Sequence, residues 1–226
     1  MSDLRLVMFD VDGTLVDSQA DIIASMHAAF EAADLTAPAR SEILSIVGLS
    51  LPKAMEALAC DANATKQALM VEAYKEAYTK QRQSKGAAVS SPLYPGALEA
   101  LDTLNRQDET LIGVATGKSR RGLDHLLEAH DLARFFVTQQ VADHHPSKPH
   151  PSMLLTAMVE TGIDPQNCVM IGDTRFDLEM ARSAGVAFVG VPWGYHPAEQ
   201  LSGAHAIIDR FDELPLVLDD IWRRGA

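Results

Sequence analysis

In FDVDGTLVDS, Phe9 to Ser18, two carboxylates stand two residues apart, at Asp10 and Asp12. On an extended segment that spacing projects both to one side, and Gly13 permits the sharp exit that follows. Two such charges repel strongly unless a cation lies between them. With Asp173 added, the ligand set is oxygen alone, without His or Cys, and suits a hard ion that keeps its waters, Mg²⁺. An acidic cluster with Mg²⁺, Lys148 and Thr116 is what a phosphoryl site needs, because the dianion and its transition state carry charge on several oxygens. One carboxylate can then attack phosphorus, while its neighbour exchanges protons with the leaving group and with water.

These residues need elements to bring them together. LRLVMF before Asp10 is a short continuous apolar run, the mark of a strand buried on both faces. TLIGVAT (Thr110 to Thr116), FFVTQQV (Phe135 to Val141), CVMIG (Cys168 to Gly172) and VAFVGV (Val186 to Val191) repeat the signal, and AIID adds a weak last strand. Helical patterns alternate with them: GALEALDTLNRQ after Pro95, RRGLDHLLEAHDL after Ser119, SMLLTAMVETG after Pro151, FDLEMARSAG after Arg175, and the tail ELPLVLDDIWRR. Pro95 suits a first turn, Ser119 a cap, and Gly162 and Gly185 helix stops. The alternation predicts an α/β fold with a doubly wound parallel sheet. In such sheets the ligand crevice lies beyond the carboxyl ends of the strands. Asp10, Asp12, Thr116, Gly117, Lys118, Lys148, Asp173 and Asp177 all fall there.

One segment interrupts the alternation. Residues 17–88 hold helical stretches such as QADIIASMHAAFEAA and TKQALMVEAYKEAYTKQRQ, and no convincing strand. Ile22, Ile23, Met26 and Phe30 fall close to helical spacing in the first, and Leu69, Ala73, Tyr74 and Ala77 in the second. We expect a helical-bundle cap at 17–88, inserted after strand one into an α/β core of residues 1–16 and 89–226, with SKGAAVSS (Ser84 to Ser91) as a linker.

Bulk properties narrow the partners. The chain has 226 residues, 47% of them hydrophobic, and a formal charge of −12. Phosphate-backbone affinity comes from clustered Lys and Arg, so nucleic acid is not expected as a partner. No apolar run approaches the roughly 18 residues of a membrane span, and MSDLRLVMF lacks the form of a secretory signal. Cys60 and Cys168, far apart in apolar settings, read as core thiols of a reducing compartment. A cytoplasmic protein acting on a small molecule is expected, its oligomeric state left open.

DVDGT at Asp10 to Thr14, VATGKS at Val114 to Ser119, SKPHP at Ser147 to Pro151 and MIGDTRFDLEMA at Met170 to Ala181 resemble, in order, the four motifs of the haloacid-dehalogenase-like hydrolase superfamily. The likeness spans nearly the whole chain, and the helical insert resembles the cap of the phosphoglycolate-phosphatase-like branch. The resemblance implies a Rossmann-like core and a Mg²⁺-dependent phosphatase acting on a small, phosphoglycolate-like phosphate monoester. It makes Asp10 the nucleophile and Asp12 the general acid/base, with the Asp12 backbone carbonyl offered to the metal. Thr116 and the Gly117 N–H would hold a phosphoryl oxygen, and Lys148 would neutralise charge. Asp173 would bind Mg²⁺ directly, and Asp177 would bind it or orient its water. Dehalogenase members replace the second acid of the first motif, and here Asp12 is present.

Several rival readings are weaker. Gly117 to Ser119 spells GKS, but a P-loop wants glycine five residues before Gly117, where Ile112 stands. His144, His145 and His150 match no structural zinc spacing and read as a polar loop. Trp193, Tyr195 and His196 fit either a crevice rim or a turn packing one aromatic on the core. Lys53 and His27 are secondary candidates for touching substrate. Within the superfamily a phosphosugar mutase or a pyrophosphatase shares the site, and a non-turnover aspartate phospho-acceptor shares most of it.

Overall fold

The computed structural model describes residues 4–225. Six strands form one sheet: β1 (Arg5–Phe9), β2 (Thr110–Thr116), β3 (Thr138–Val141), β4 (Cys168–Gly172), β5 (Ala187–Gly190) and β6 (Ala206–Ile207). Between β1 and β2 lie α1 (Gln19–Ala32), α2 (Arg40–Leu44), α3 (Leu51–Leu58), α4 (Ala64–Lys85), α5 (Ala87–Ser90) and α6 (Ala97–Asn105). Then α7 (Arg120–Ala129), α8 (Ser152–Thr161) and α9 (Arg175–Ala184) follow β2, β3 and β4, and α10 (Leu214–Gly225) follows β6.

The strand order is β3-β2-β1-β4-β5-β6, and every pairing is parallel. Both faces of such a sheet must be covered, which explains the unbroken apolar runs. Successive side chains alternate between faces. Val7 and Phe9 join Leu101 of α6, Leu123 of α7 and Leu218 of α10 in one core. Leu6 and Met8 join Met153 of α8 and Met180 of α9 in the other. The doubly wound α/β expectation therefore holds, with Phe9 opposite both Val114 of β2 and Ile171 of β4. That register sets the ends of three strands side by side at Asp10.

The interrupting segment builds a third core of its own, from Ile22, Met26 and Phe30 of α1, Ile43 of α2, Met55 of α3 and Met70 of α4. The apolar stripe of α4 departs from expectation at one position: Leu69 is 49% exposed and Met70 is fully buried, whereas Tyr74 packs on this core as expected. The expected linker is also largely helical, because α4 runs through Lys85 until Gly86, at φ 84°, stops it and α5 begins. Pro95 lies outside α6, whose N-cap is Gly96. FFVTQQV becomes a strand only from Thr138, since Phe135 and Phe136 turn into the core first. Ser119 caps α7 by accepting from the Gly122 N–H at 3.2 Å, and Gly162 and Gly185 end α8 and α9 in the left-handed conformation, as expected. Cys60 is corrected: it lies just past α3 and is exposed, whereas Cys168 is buried. Among the described residues no helix is long and apolar enough to cross a membrane.

Candidate active site

Asp10 leaves β1 with its N–H donating to the Ile171 carbonyl at 2.9 Å, so its side chain emerges at the carboxyl edge between β2 and β4. It is 1% exposed. The Lys148 ammonium donates to Asp10 Oδ1 at 2.8 Å and to Asp177 Oδ1 at 2.6 Å, a bridge in which Lys148 has no exposed side-chain surface. Asp177 is held from its own helix as well. Its Oδ2 accepts from the Thr174 hydroxyl at 2.6 Å and from the Thr174 N–H at 3.2 Å, while Thr174 Oγ1 accepts from the Asp177 N–H. This reciprocal cap at the start of α9 aims the carboxylate back at the sheet edge.

Asp173 completes the cluster from the end of β4. Its Oδ1 accepts from the Thr14 hydroxyl at 2.9 Å and its Oδ2 from the Tyr195 N–H at 2.8 Å. Gly13 stands against it at φ 86°, where a Cβ would come within 2.2 Å of Asp173 Oδ2. Only glycine gives the backbone both that conformation and that approach. Oxygens of Asp10, Asp173 and Asp177 lie within 4.8 Å of one another, all buried.

Two of the three buried carboxylates share one ammonium, and burial of like charges shifts their protonation. Burial, opposed by Lys148, pushes Asp10 up to about 7. Burial, then the charges of Asp10 and Asp177, raise Asp173 well above the ordinary carboxylate range. Burial opposes the charge on Lys148, but Asp10 and Asp177 outweigh it and hold its ammonium above the lysine range. Asp10 Oδ2 is buried without a hydrogen-bond partner. An unpartnered oxygen beside two further carboxylates, with no nitrogen or sulfur ligand, fits a hard divalent cation.

Asp12 is placed differently. Its carboxylate lies outside that cluster, accepting from Lys118 Nζ at 2.8 Å and from the Ser18 hydroxyl. Ser18 is itself fixed, its N–H donating to the Tyr195 hydroxyl at 2.8 Å. Lys118 also donates to the Tyr78 hydroxyl of α4 at 3.2 Å. Burial opposes its charge, yet Asp12 and Tyr78 hold it above the lysine range. Lys118 falls at the crevice edge and Tyr195 at its rim, as the sequence allows, while the parts of Ser18 and Thr14 escaped the sequence reading.

Thr116, 1% exposed, ends β2, and its hydroxyl oxygen accepts from the Lys118 N–H at 3.2 Å. Its own proton remains available to donate. At Gly117 a Cβ would meet the Leu49 and Gly48 carbonyl oxygens at 2.7 and 2.8 Å, so the loop before α3 is seated directly on this turn. The Ser50 N–H donates to Ser147 Oγ at 2.8 Å, next to Lys148. Between these groups is a cavity of about 460 Å³ reached by Asp10, Asp12, Thr116, Gly117 and Lys118.

The remaining candidates fall elsewhere. Lys53 is exposed and paired with Glu56 at 2.5 Å, and His27 is exposed. Neither borders the cavity. Trp193 packs on Phe211 with ring centroids 4.8 Å apart, the turn alternative for that aromatic. His145 bonds Ser152 and Gln140, each at 2.8 Å, as a polar-loop residue.

Comparison with known proteins agrees with this geometry. The family model described as haloacid dehalogenase-like hydrolase matches residues 7–191. The chain is 37% identical over 214 residues to the Dickeya dadantii protein named Probable phosphatase IndB, covering 92% of this chain and 91% of that one. It is 31% identical to a phosphoglycolate phosphatase of Agrobacterium fabrum, covering 98% and 95%. Among solved structures, a hydrolase from Pseudomonas syringae superposes with a TM-score of 0.83 at 25% identity, covering 96% of this chain and 99% of that one.

Proposed function

The chain belongs to the haloacid dehalogenase-like hydrolase family, and from that premise we propose that it is a Mg²⁺-dependent phosphatase that hydrolyses a small phosphate monoester. The observation that carries this reading is Asp10 Oδ2: a buried, unpartnered carboxylate oxygen of a residue that borders the cavity, beside two more acids and a lysine. Phosphoglycolate is the reference substrate within the class, being the compound in the name of several relatives.

In this mechanism the Asp10 carboxylate attacks phosphorus, and the bond to the leaving oxygen breaks as Asp12 delivers a proton to it. The resulting aspartyl-phosphate is cleaved by a water whose proton returns to Asp12, releasing inorganic phosphate and restoring Asp10. The Thr116 hydroxyl and the Gly117 N–H hold phosphoryl oxygens, while Lys148 fixes the Asp10 carboxylate and offsets charge. Lys118 and Ser18 orient Asp12. The carboxylates of Asp10 and Asp173, the Asp12 backbone carbonyl and Asp177, directly or through water, would hold Mg²⁺, which supplies charge neutralisation to the phosphoryl group. Residues of the cap and the loop on Gly117 exclude bulk water from the aspartyl-phosphate.

The test is phosphate release from a panel of esters and pyrophosphate, with Mg²⁺ and with chelator. Release should vanish with chelator and in Asp10→Asn. Retained turnover in that variant would remove the covalent mechanism. Product analysis separates hydrolysis, which yields free phosphate, from transfer back to sugar.

A further inference from the structure

The cavity is larger than the reference substrate requires. At about 460 Å³ it falls in the range of about 300–1,000 Å³ that holds drug-sized ligands. Its cap-side wall is aliphatic, built by Ile22, Met26, Ile46, Val47, Leu51 and Val71. Tyr74 and Tyr78, one turn apart on α4, border the same space with rings stacked at 5.9 Å and 18° from parallel. Such a wall favours a flat apolar body.

A compact acid needs something else, a free cation close to the phosphoryl end. The cation there, Lys118, is already matched by Asp12 at 2.8 Å and by Tyr78. Lys75 is matched by Glu72 at 2.7 Å. The other two cations at the cavity, Arg82 of α4 and Arg121 of α7, oppose one another's charge, Arg82 half-buried and Arg121 exposed.

Resting on the phosphatase reading above, we propose that the leaving group of the preferred substrate carries a planar, largely apolar ring that lies against Tyr74 and the aliphatic wall of the cap. Compact esters such as 2-phosphoglycolate are then poor substrates, because they leave that wall wet.

The test uses the full chain with Mg²⁺ and alkyl esters only, so that leaving-group acidity does not favour the ringed ones. Benzyl phosphate and adenosine 5′-monophosphate are compared with 2-phosphoglycolate and ethyl phosphate. The ringed esters should exceed the compact ones in kcat/KM by at least about tenfold, mostly through KM. Val71→Trp, which narrows the cavity at the aliphatic wall, should erase that ratio. A smaller ratio, a preference for phosphoglycolate, or a ratio that survives Val71→Trp overturns the proposal. Should no ester release phosphate, the phosphatase reading fails by itself. Calorimetry with Asp10→Asn then decides: tighter binding of the ringed esters by about tenfold supports the proposal, and equal or weaker binding overturns it.

Discussion

Asp10 is the residue at which chemistry and stability pull in opposite directions. Burial lifts it from 3.8 to about 7, so the folded chain binds a proton there that the unfolded chain has released. The sign follows from linkage: this contribution is fully present below 3.8 and is lost as pH rises through about 7. The metal-free protein should therefore lose stability from this group between pH 5 and pH 8, and Asp10→Asn should flatten that loss. Urea midpoints in chelator at the two pH values measure it, and an unchanged slope in the variant would contradict the account. Mg²⁺ competes with the same proton, so its stabilising effect should be larger at pH 8 than at pH 6. Lys148 is the counterweight. Lys148→Met leaves three buried acids without an ammonium and should cost about 3–5 kcal/mol in the metal-free protein, the typical effect of removing one partner of a buried pair. Added Mg²⁺ should recover part of that stability without restoring turnover. A variant as stable as the parent in chelator would show that the bridge to Asp10 and Asp177 carries no net charge balance.

At the scale of elements, the contact between the loop before α3 and the end of β2 makes the sharpest prediction. Gly117→Ala would set a methyl group 2.7 Å from the Leu49 carbonyl oxygen, a backbone atom with no rotamer to change. The loop should lift, lowering kcat/KM by about tenfold or more while Tm moves little, since the sheet and its two cores are untouched. A thermal scan beside steady-state kinetics checks both halves, and unaltered kinetics would mean that the loop seat has no part in turnover. The sequence made the strand edge legible because Asp10, Thr116, Lys148, Asp173 and Asp177 each follow an apolar run that only a covered parallel sheet explains. It placed Lys118 at that edge without its partners. Its pairing with Asp12 and Tyr78 depends on how α4 meets the core, a tertiary fact with no local period. Leu69 and Met70 show the same limit: in a run of apolar residues on a long helix, helical spacing allows either face, and packing against α1 selects Met70. The segment before β3 was misjudged because Phe135 and Phe136 have strand-like composition yet serve the core from a turn.

For the molecule as a whole, the two thiols report on integrity. Cys60 is exposed, while burial pushes the Cys168 thiol up to about 12. One thiol per chain should react with a disulfide reagent in the native protein, and the second only as the chain unfolds. Rapid modification of both under native conditions would argue that β4 opens readily. The placement of β4 has a further consequence. β1 is made first, yet it is the middle of the sheet, paired on one side with β2 and on the other with residues from Cys168 onward. During synthesis the first strand waits, half covered, until Cys168–Gly172 have left the ribosome. The 17–88 region, whose buried core residues all come from within it, has time to form in that interval, so the long-range closure around β1 comes last.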